Sequence, residues 1–384
     1  MPAPIAIDIT ETVADPIRTG IQRVVRELLR HWPAAIPAIP CRYDLATDAL
    51  VELPREAVEI LCETAPELRE APVEALRSRL ATAIAQAPTA RIPDGVMVFN
   101  PELFGGRDHS LHYNRRLEAD PQGSRFLAYD FIPWLRPDLM PFGRAQAIAG
   151  MWYLRALAAA ERVSFISTAT RDDFAGRIRR QPDFQGPVLP LGADGLGVRP
   201  RPFDRGRRTL LCIGSIDGRK RQEQVVDAFR ALRAEGAADG AELVLVGRAV
   251  DQGGALAKGI EAAAAAPDSG IRWVRHATDQ EVAALLAQAR ATVYASENEG
   301  FGLPPVESLF AGVPVVVGSH LPSTRDLPPL GQVRLPEVTG ATLAAAMRRV
   351  LDDAEAEALW RDAADLSLPT WRDFAAAAAD WAAR

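Results

Sequence analysis

Cysteine is scarce: Cys41, Cys62 and Cys212 are the only three in 384 residues. They are scattered and odd in number, so no disulfide framework is expected; they read as reduced thiols in a reducing compartment. Long apolar runs are missing, and none reaches the roughly 20 residues that span a bilayer. The stretch Met1 to Thr10 has neither a basic start nor a long apolar core, so no secretory leader is expected. These absences point to a cytoplasmic, soluble protein, or one held only at the inner face of a plasma membrane. Basic charge is not in excess either. Lys and Arg number 44 against 50 Asp and Glu, a net charge of -6, which argues against general nucleic-acid binding. No Asp-x-Asp triplet occurs, and the five histidines show no ligand spacing beyond His109-x-x-His112, so no metal site is expected. The Gly-x-Gly-x-x-Gly fingerprint is missing after either candidate first strand, which speaks against a dehydrogenase. No cofactor is implied.

What is present is a regular alternation of short apolar runs with helical segments. Ile5–Ile9, Gly95–Phe99, Arg125–Tyr129 and Val163–Ser167 read as buried strands, with helices such as Ile21–Trp32 and Ala145–Ala160 between them. The pattern breaks near Gly192, and Arg199–Gly206 is rich in Pro, Gly and Arg as linkers are. A second series follows at Leu210–Gly214, Leu243–Gly247, Ile271–Val274, Ala291–Ala295 and Pro314–Val317. Strand–helix alternation predicts parallel sheets covered on both faces, here in two α/β halves. Ligands of such sheets bind outside the carboxyl ends of the strands, so the cleft between the halves is the expected site. Residues 41–90 are less regular; Pro54–Ala87 reads as polar helices inserted in the first half.

The most informative stretch runs from Glu299-Gly-Phe-Gly-Leu-Pro-Pro-Val to Glu307, following a strand that ends at Ala295-Ser296. Pro304 and Pro305 suit the first turn of a helix, where a missing N–H costs nothing, and Gly312 suits its end. Glu299 is then expected in the loop and Glu307 in the first turn. The amides of Phe301, Gly302 and Leu303 would lie at the positive end of the helix dipole, a ready anion site. A diphosphate with two carboxylates beside it suits a nucleotide sugar, because carboxylates accept hydroxyl hydrogen bonds strongly. The plainer alternative is a loop Glu299 and a helix-stabilising Glu307. After the first strand of the second half comes Gly214-Ser-Ile-Asp-Gly-Arg219-Lys220-Arg-Gln222. Its cations could offset charge growing on a departing diphosphate, or simply form a solvated basic helix start.

The Glu299–Glu307 stretch, with seven residues between the carboxylates, resembles the Glu-x7-Glu motif of family 4 retaining glycosyltransferases. Supporting likenesses are the basic loop Gly214–Gln222, the helix start Thr278-Asp-Gln-Glu-Val282, the turn Arg18-Thr-Gly20-Ile-Gln-Arg-Val24 and the segment Leu189–Asp194. The resemblance implies the GT-B fold: two Rossmann-like, doubly wound parallel-sheet domains facing across a cleft. It implies an acceptor-side domain at 1–198, a nucleotide-sugar domain at 199–369, and a helix at 370–384 crossing back to the first. It assigns Glu299 to donor-sugar hydroxyls and Glu307 to the nucleotide ribose. The diphosphate falls to the amides of Phe301, Gly302 and Leu303 with Arg219 and Lys220, and Gly20 lets a loop approach it. The implied partners are a nucleotide-sugar donor and a glycan or lipid-linked acceptor, with transfer independent of metal. Two positions depart from the pattern. Tyr129-Asp130 stands where many relatives carry His-Asp, and Ser215 where many carry Arg. Asp130 is a candidate catalytic group near the acceptor, or a structural strand-end aspartate. The turn at Thr19–Val24 resembles that of bacterial polysaccharide mannosyltransferases, which makes GDP-mannose the first choice of donor.

Two other functions fit the same motifs. A GT-B sugar-nucleotide epimerase would alter its nucleotide sugar with no acceptor present; a non-catalytic scaffold would bind no nucleoside diphosphate. The helix at 21–32 carries one apolar face and, at Arg23, Arg26 and Arg30, one basic face. Such a helix can lie on an anionic membrane, but a core-packed helix with a solvated basic face is the favoured reading.

Overall fold

The structure, a computed structural model, describes residues 3–17, 19–63, 70–88, 90–140 and 143–384. Arg18 of the first turn and residues 64–69 of the Pro54–Ala87 insert lie outside the described residues. The chain divides into two compact units, Met1–Gly192 with Pro369–Arg384, and Ala193–Leu368. The Pro-, Gly- and Arg-rich stretch at 199–206 therefore falls inside the second unit, not at the junction. No described helix is long and apolar enough to cross a membrane.

The first unit is built on strands β1 (Ile5–Asp8), β2 (Ala38–Asp44), β3 (Ala49–Glu52), β4 (Met97–Asn100), β5 (Ser124–Ala128) and β6 (Val163–Phe165). Their order is β3-β2-β1-β4-β5-β6. All neighbours are parallel except β2 and β3, which form an antiparallel hairpin at the edge. The sequence reading missed that hairpin. Pro40 within β2 lacks an amide and argues against a strand, yet Cys41 and Tyr43 alternate inward in the two-residue period. Beyond the hairpin the insert is helical, at Arg55–Cys62 and Glu70–Gln86.

The helix Trp371–Ala383 belongs to this unit and packs on the helix Gly20–His31. Its buried face is Trp371, Phe374, Ala375, Ala378, Ala379 and Ala382, so small side chains let the two helices approach closely. Trp381 meets Phe99 edge-on at 5.9 Å. Part of the basic face of Gly20–His31 makes bonds within the fold. Arg26 is buried and donates to the Ile17 carbonyl, while Arg30 donates to the carbonyls of Cys62 and Glu63. These bonds favour the core-packed helix over a lipid-facing one.

Order reverses in this sheet between β1 and β4, and a closed polar knot fills the point. Asp8 is buried and accepts from His109 Nε2 at 2.7 Å, Tyr113 Oη at 2.5 Å and Asn100 Nδ2 at 3.1 Å. Burial alone would raise its pKa; the His109 charge and these hydrogen bonds outweigh it and hold the carboxyl at about 2. His109 is thus committed to Asp8, and His112 turns toward Asp48 at 3.7 Å.

The second unit contains β7 (Thr209–Ile213), β8 (Glu242–Val246), β9 (Ile271–Val274), β10 (Ala289–Tyr294), β11 (Val315–Gly318) and β12 (Gln332–Leu335). All are parallel, in the order β12-β11-β10-β7-β8-β9. β12 was not expected from the sequence. Both sheets have the doubly wound Rossmann order, counted from one edge or the other. In the second, the reversal falls between β7 and β10. The connections leaving these two strands diverge there, so their carboxyl ends frame a crevice.

Candidate active site

Both motif segments sit at that crevice of the second unit. β7 delivers Gly214 and the turn Gly218–Lys220; β10 delivers Ser296 to Gly302. The two loops are tied together by backbone and side chain. The amide of Glu297 donates to the Arg219 carbonyl at 2.8 Å, and Arg221 pairs with Glu297 at 2.8 Å. Asp217 caps the turn by accepting the Arg219 amide at 3.1 Å. Gly214 matters for close approach. Its backbone is left-handed, φ +144, and a Cβ there would lie 2.9 Å from Lys220 Nζ. A bare backbone lets the lysine cross over the end of β7.

The result is a cluster of three groups that the sequence singled out from segments some 80 residues apart. Arg219 Nη1 donates to Glu299 Oε2 at 3.1 Å and to the Asn298 carbonyl at 2.6 Å. Lys220 Nζ lies 3.9 Å from Glu299 Oε1 and 5.8 Å from the centre of the Tyr294 ring. The Glu299 side chain is only 13 % exposed. Burial pushes its pKa up, but the charges of Lys220 and Arg219, with hydrogen bonds from Ser296 and Tyr294, hold it below the usual carboxylate range. The Lys220 side chain is 15 % exposed and rests over Tyr294, unlike a solvated basic helix start.

The helix after Glu299 runs Leu303–Phe310, capped by Gly302 at φ +94. A left-handed cap starts the helix at Leu303, so Pro304 and Pro305 take the second and third positions. Glu307 therefore lies in the second turn, not the first as expected, and is buried at 4 % exposure. The prolines have no N–H, so the outward donors of this helix start reduce to the amides around Gly302 and Leu303. Phe301 is buried, and its carbonyl accepts the Ser323 amide at 3.0 Å, which ties the loop to the segment after β11. Gly312 ends the helix at φ +72, as its position suggested.

Gly302 also offers a direct test. A Cβ there would meet Leu321 Cδ2 at 3.2 Å and Ser323 Oγ at 3.3 Å, on a backbone L-residues rarely adopt. Gly302→Ala is expected to destabilise the protein by about 1–3 kcal/mol and to weaken anion binding at the loop. Urea unfolding and a nucleotide titration read both; an unchanged midpoint and affinity would show that the loop tolerates another conformation.

The remaining expected residues belong to the first unit. Gly20 opens the helix Gly20–His31, and among the described residues a Cβ there would meet nothing within 4 Å. Asp130 follows β5, half-buried, and accepts the Ile132 amide at 3.0 Å. Tyr129, where a histidine was looked for, is buried and donates to the Pro101 carbonyl at 2.7 Å. It is a packing residue in this unit. Sequence reasoning missed Tyr294 and Ser296, which both donate to Glu299 Oε1 at 2.8 Å. Their one signal was position: the last residue of a buried strand, and the second residue after it.

Two doubly wound sheets, the second with a carboxylate, two cations and a helix start at its switch point, form an α/β architecture of the GT-B kind. Residues 199–366 match the model of the family described as glycosyl transferases group 1. Across 84 % of the chain there is 26 % identity to the serotype-specific mannosyltransferase WbdA of Escherichia coli, of which 38 % is covered. Over 39 % of the chain, 33 % of residues match the MMP alpha-(1->4)-mannosyltransferase of Mycolicibacterium hassiacum, covering 35 % of that protein. The chain thus spans well under half the length of these curated relatives. Among solved structures it is similar to a sucrose-phosphate synthase from Thermosynechococcus elongatus, with TM-score 0.66, 18 % identity and 98 % and 97 % of the two chains covered. WaaG, a glycosyltransferase involved in lipopolysaccharide biosynthesis, aligns with TM-score 0.58, 15 % identity and 98 % of each chain. At such identities these two likenesses establish the fold.

Proposed function

We propose that this chain is a retaining hexosyltransferase that moves a sugar from a nucleoside-diphosphate donor to a glycan or lipid-linked acceptor in polysaccharide synthesis. The observation that carries the reading is the Arg219–Lys220–Glu299 cluster at the switch point of the second sheet. Lys220 and Arg219 place two positive charges where a diphosphate leaving group would gather negative charge, so the cationic role is filled by side chains and transfer proceeds without metal. The amides around Gly302 and Leu303 hold the diphosphate, Glu307 takes the ribose, and Glu299 takes the sugar. Asp130 lies in the first unit, to which the proposal gives the acceptor. Mannose, as GDP-mannose, is the first choice of donor; the mannosyltransferase names of the relatives support it. The chain is cytoplasmic in this reading.

The test is a screen of GDP, UDP, ADP and dTDP by thermal shift in the presence of a chelator. One diphosphate is expected to raise the melting temperature by mass action. The matching sugar nucleotide should then be consumed only when an acceptor is added. Binding that disappears with chelator would overturn the metal-free reading, and turnover without acceptor would reveal an epimerase or a hydrolase.

A further inference from the structure

The carboxylate of Glu299 is unusually well supplied with donors. An ionised carboxylate has about four lone-pair sites, two on each oxygen. Tyr294 Oη and Ser296 Oγ each donate to Oε1 at 2.8 Å and fill that oxygen. Ser296 has a single proton; its other neighbour, the Asn298 carbonyl, is farther away at 3.3 Å. On the other side, Arg219 Nη1 donates to Oε2 at 3.1 Å. Among the described residues, one lone pair remains, and it is on Oε2.

Neither Tyr294 nor Ser296 is loosely placed. Tyr294 is the final residue of β10 and is buried, so its ring is fixed by the sheet. Burial and the neighbouring Glu299 charge push its phenol well above the usual range, so it stays protonated and remains a donor. The backbone carbonyl of Ser296 lies 3.1 Å from His320 Nε2, which anchors the start of the loop to the segment after β11.

We propose that Tyr294 and Ser296 are positioning residues that saturate Oε1 of Glu299, so that Oε2 alone recognises one hydroxyl of the donor sugar. The inference rests on the glycosyltransferase reading and deepens it: the carboxylate is not a general polar contact but a single-acceptor gauge set by the strand behind it. Both residues act through Glu299 and touch no ligand. Removing either donor lets the carboxylate rotate and raises its pKa, because a hydrogen bond to the charged form is lost.

The experiment is a set of double-mutant cycles on the full chain. Tyr294→Phe and Ser296→Ala are made alone and in a Glu299→Gln background. Each is followed by kcat/KM for the sugar nucleotide against pH and by calorimetric affinity for the bare nucleoside diphosphate. Each single variant is expected to lose roughly tenfold in kcat/KM. The acid limb of its profile should move to higher pH, with affinity for the diphosphate unchanged. In the Glu299→Gln background the same changes should have no further effect. Losses that multiply with Glu299→Gln, or a uniform drop at all pH values with weakened diphosphate binding, would mean the hydroxyls serve folding, not Glu299. If Tyr294→Phe does not fold, Ser296→Ala reports on the same oxygen. Should Glu299→Gln itself keep full turnover, the donor-site reading fails; if it alone collapses turnover, only the positioning proposal fails.

Discussion

Lys220→Ala is expected to lower turnover roughly 100-fold or more, the loss seen when one preorganised electrostatic donor is removed. Lys220 is placed for this. It crosses the bare backbone of Gly214, rests over Tyr294 and stops 3.9 Å from Glu299. Its charge also holds the Glu299 carboxyl down, ahead of that of Arg219. Removing it therefore acts twice: a cation is lost from the leaving diphosphate, and Glu299 titrates at higher pH. Turnover should recover in part as pH rises, because only the second effect is reversible by pH. The fold should persist, since the cavity left is at the edge of the site and Arg219 still pairs with Glu299. Single-turnover rates across pH, with circular dichroism as the control, decide this. A folded variant with normal turnover would mean that the basic loop is only a charged surface.

Glu307→Gln is expected to weaken the bare nucleoside diphosphate and the sugar nucleotide alike, because both carry the ribose. Losing a charge-assisted hydrogen bond costs about 1.5–3 kcal/mol, or roughly ten- to hundredfold in dissociation constant. Glu307 is buried at 4 % exposure in the second turn of its helix, so its rotamer is set by packing and the isosteric amide keeps that packing. Glu299→Gln should behave differently. It should reduce turnover while leaving affinity for the bare diphosphate nearly intact, since the sugar is what Glu299 meets. Calorimetry with and without the sugar separates the two. Equal weakening of the bare diphosphate by both variants would refute the assignment of one carboxylate to each sugar.

These expectations came into view at two levels. The apolar runs marked nine of the twelve strands among the described residues, because parallel strands covered on both faces are mostly apolar. The three missed ones have local reasons. β2 contains a proline, β3 is a short edge strand of four residues, and β12 alternates Gln332 and Arg334 with apolar neighbours. The helix boundaries were blurred by a similar cause. Two prolines suggested a first turn, but the turn begins where Gly302 reverses its φ, and backbone dihedrals are not written in a residue list.

Apolar periodicity was enough to lay out two α/β halves, and motif spacing drew attention to Glu299, Glu307, Arg219 and Lys220. Apolar periodicity and loop composition are local, so they can be read along the chain. What those groups do to one another follows from the folded arrangement. Strand order set β7 beside β10, and that adjacency alone brings Lys220 within 3.9 Å of a carboxylate nearly 80 positions away. It also decided that Tyr294 and Ser296 hold Glu299, that Lys220 is sheltered, and that Asp8 is a buried anchor for His109. Hydrogen bonds and charge act over a few ångströms, and which residues come within that range is fixed by the order and direction of the strands, not by their spacing in the chain.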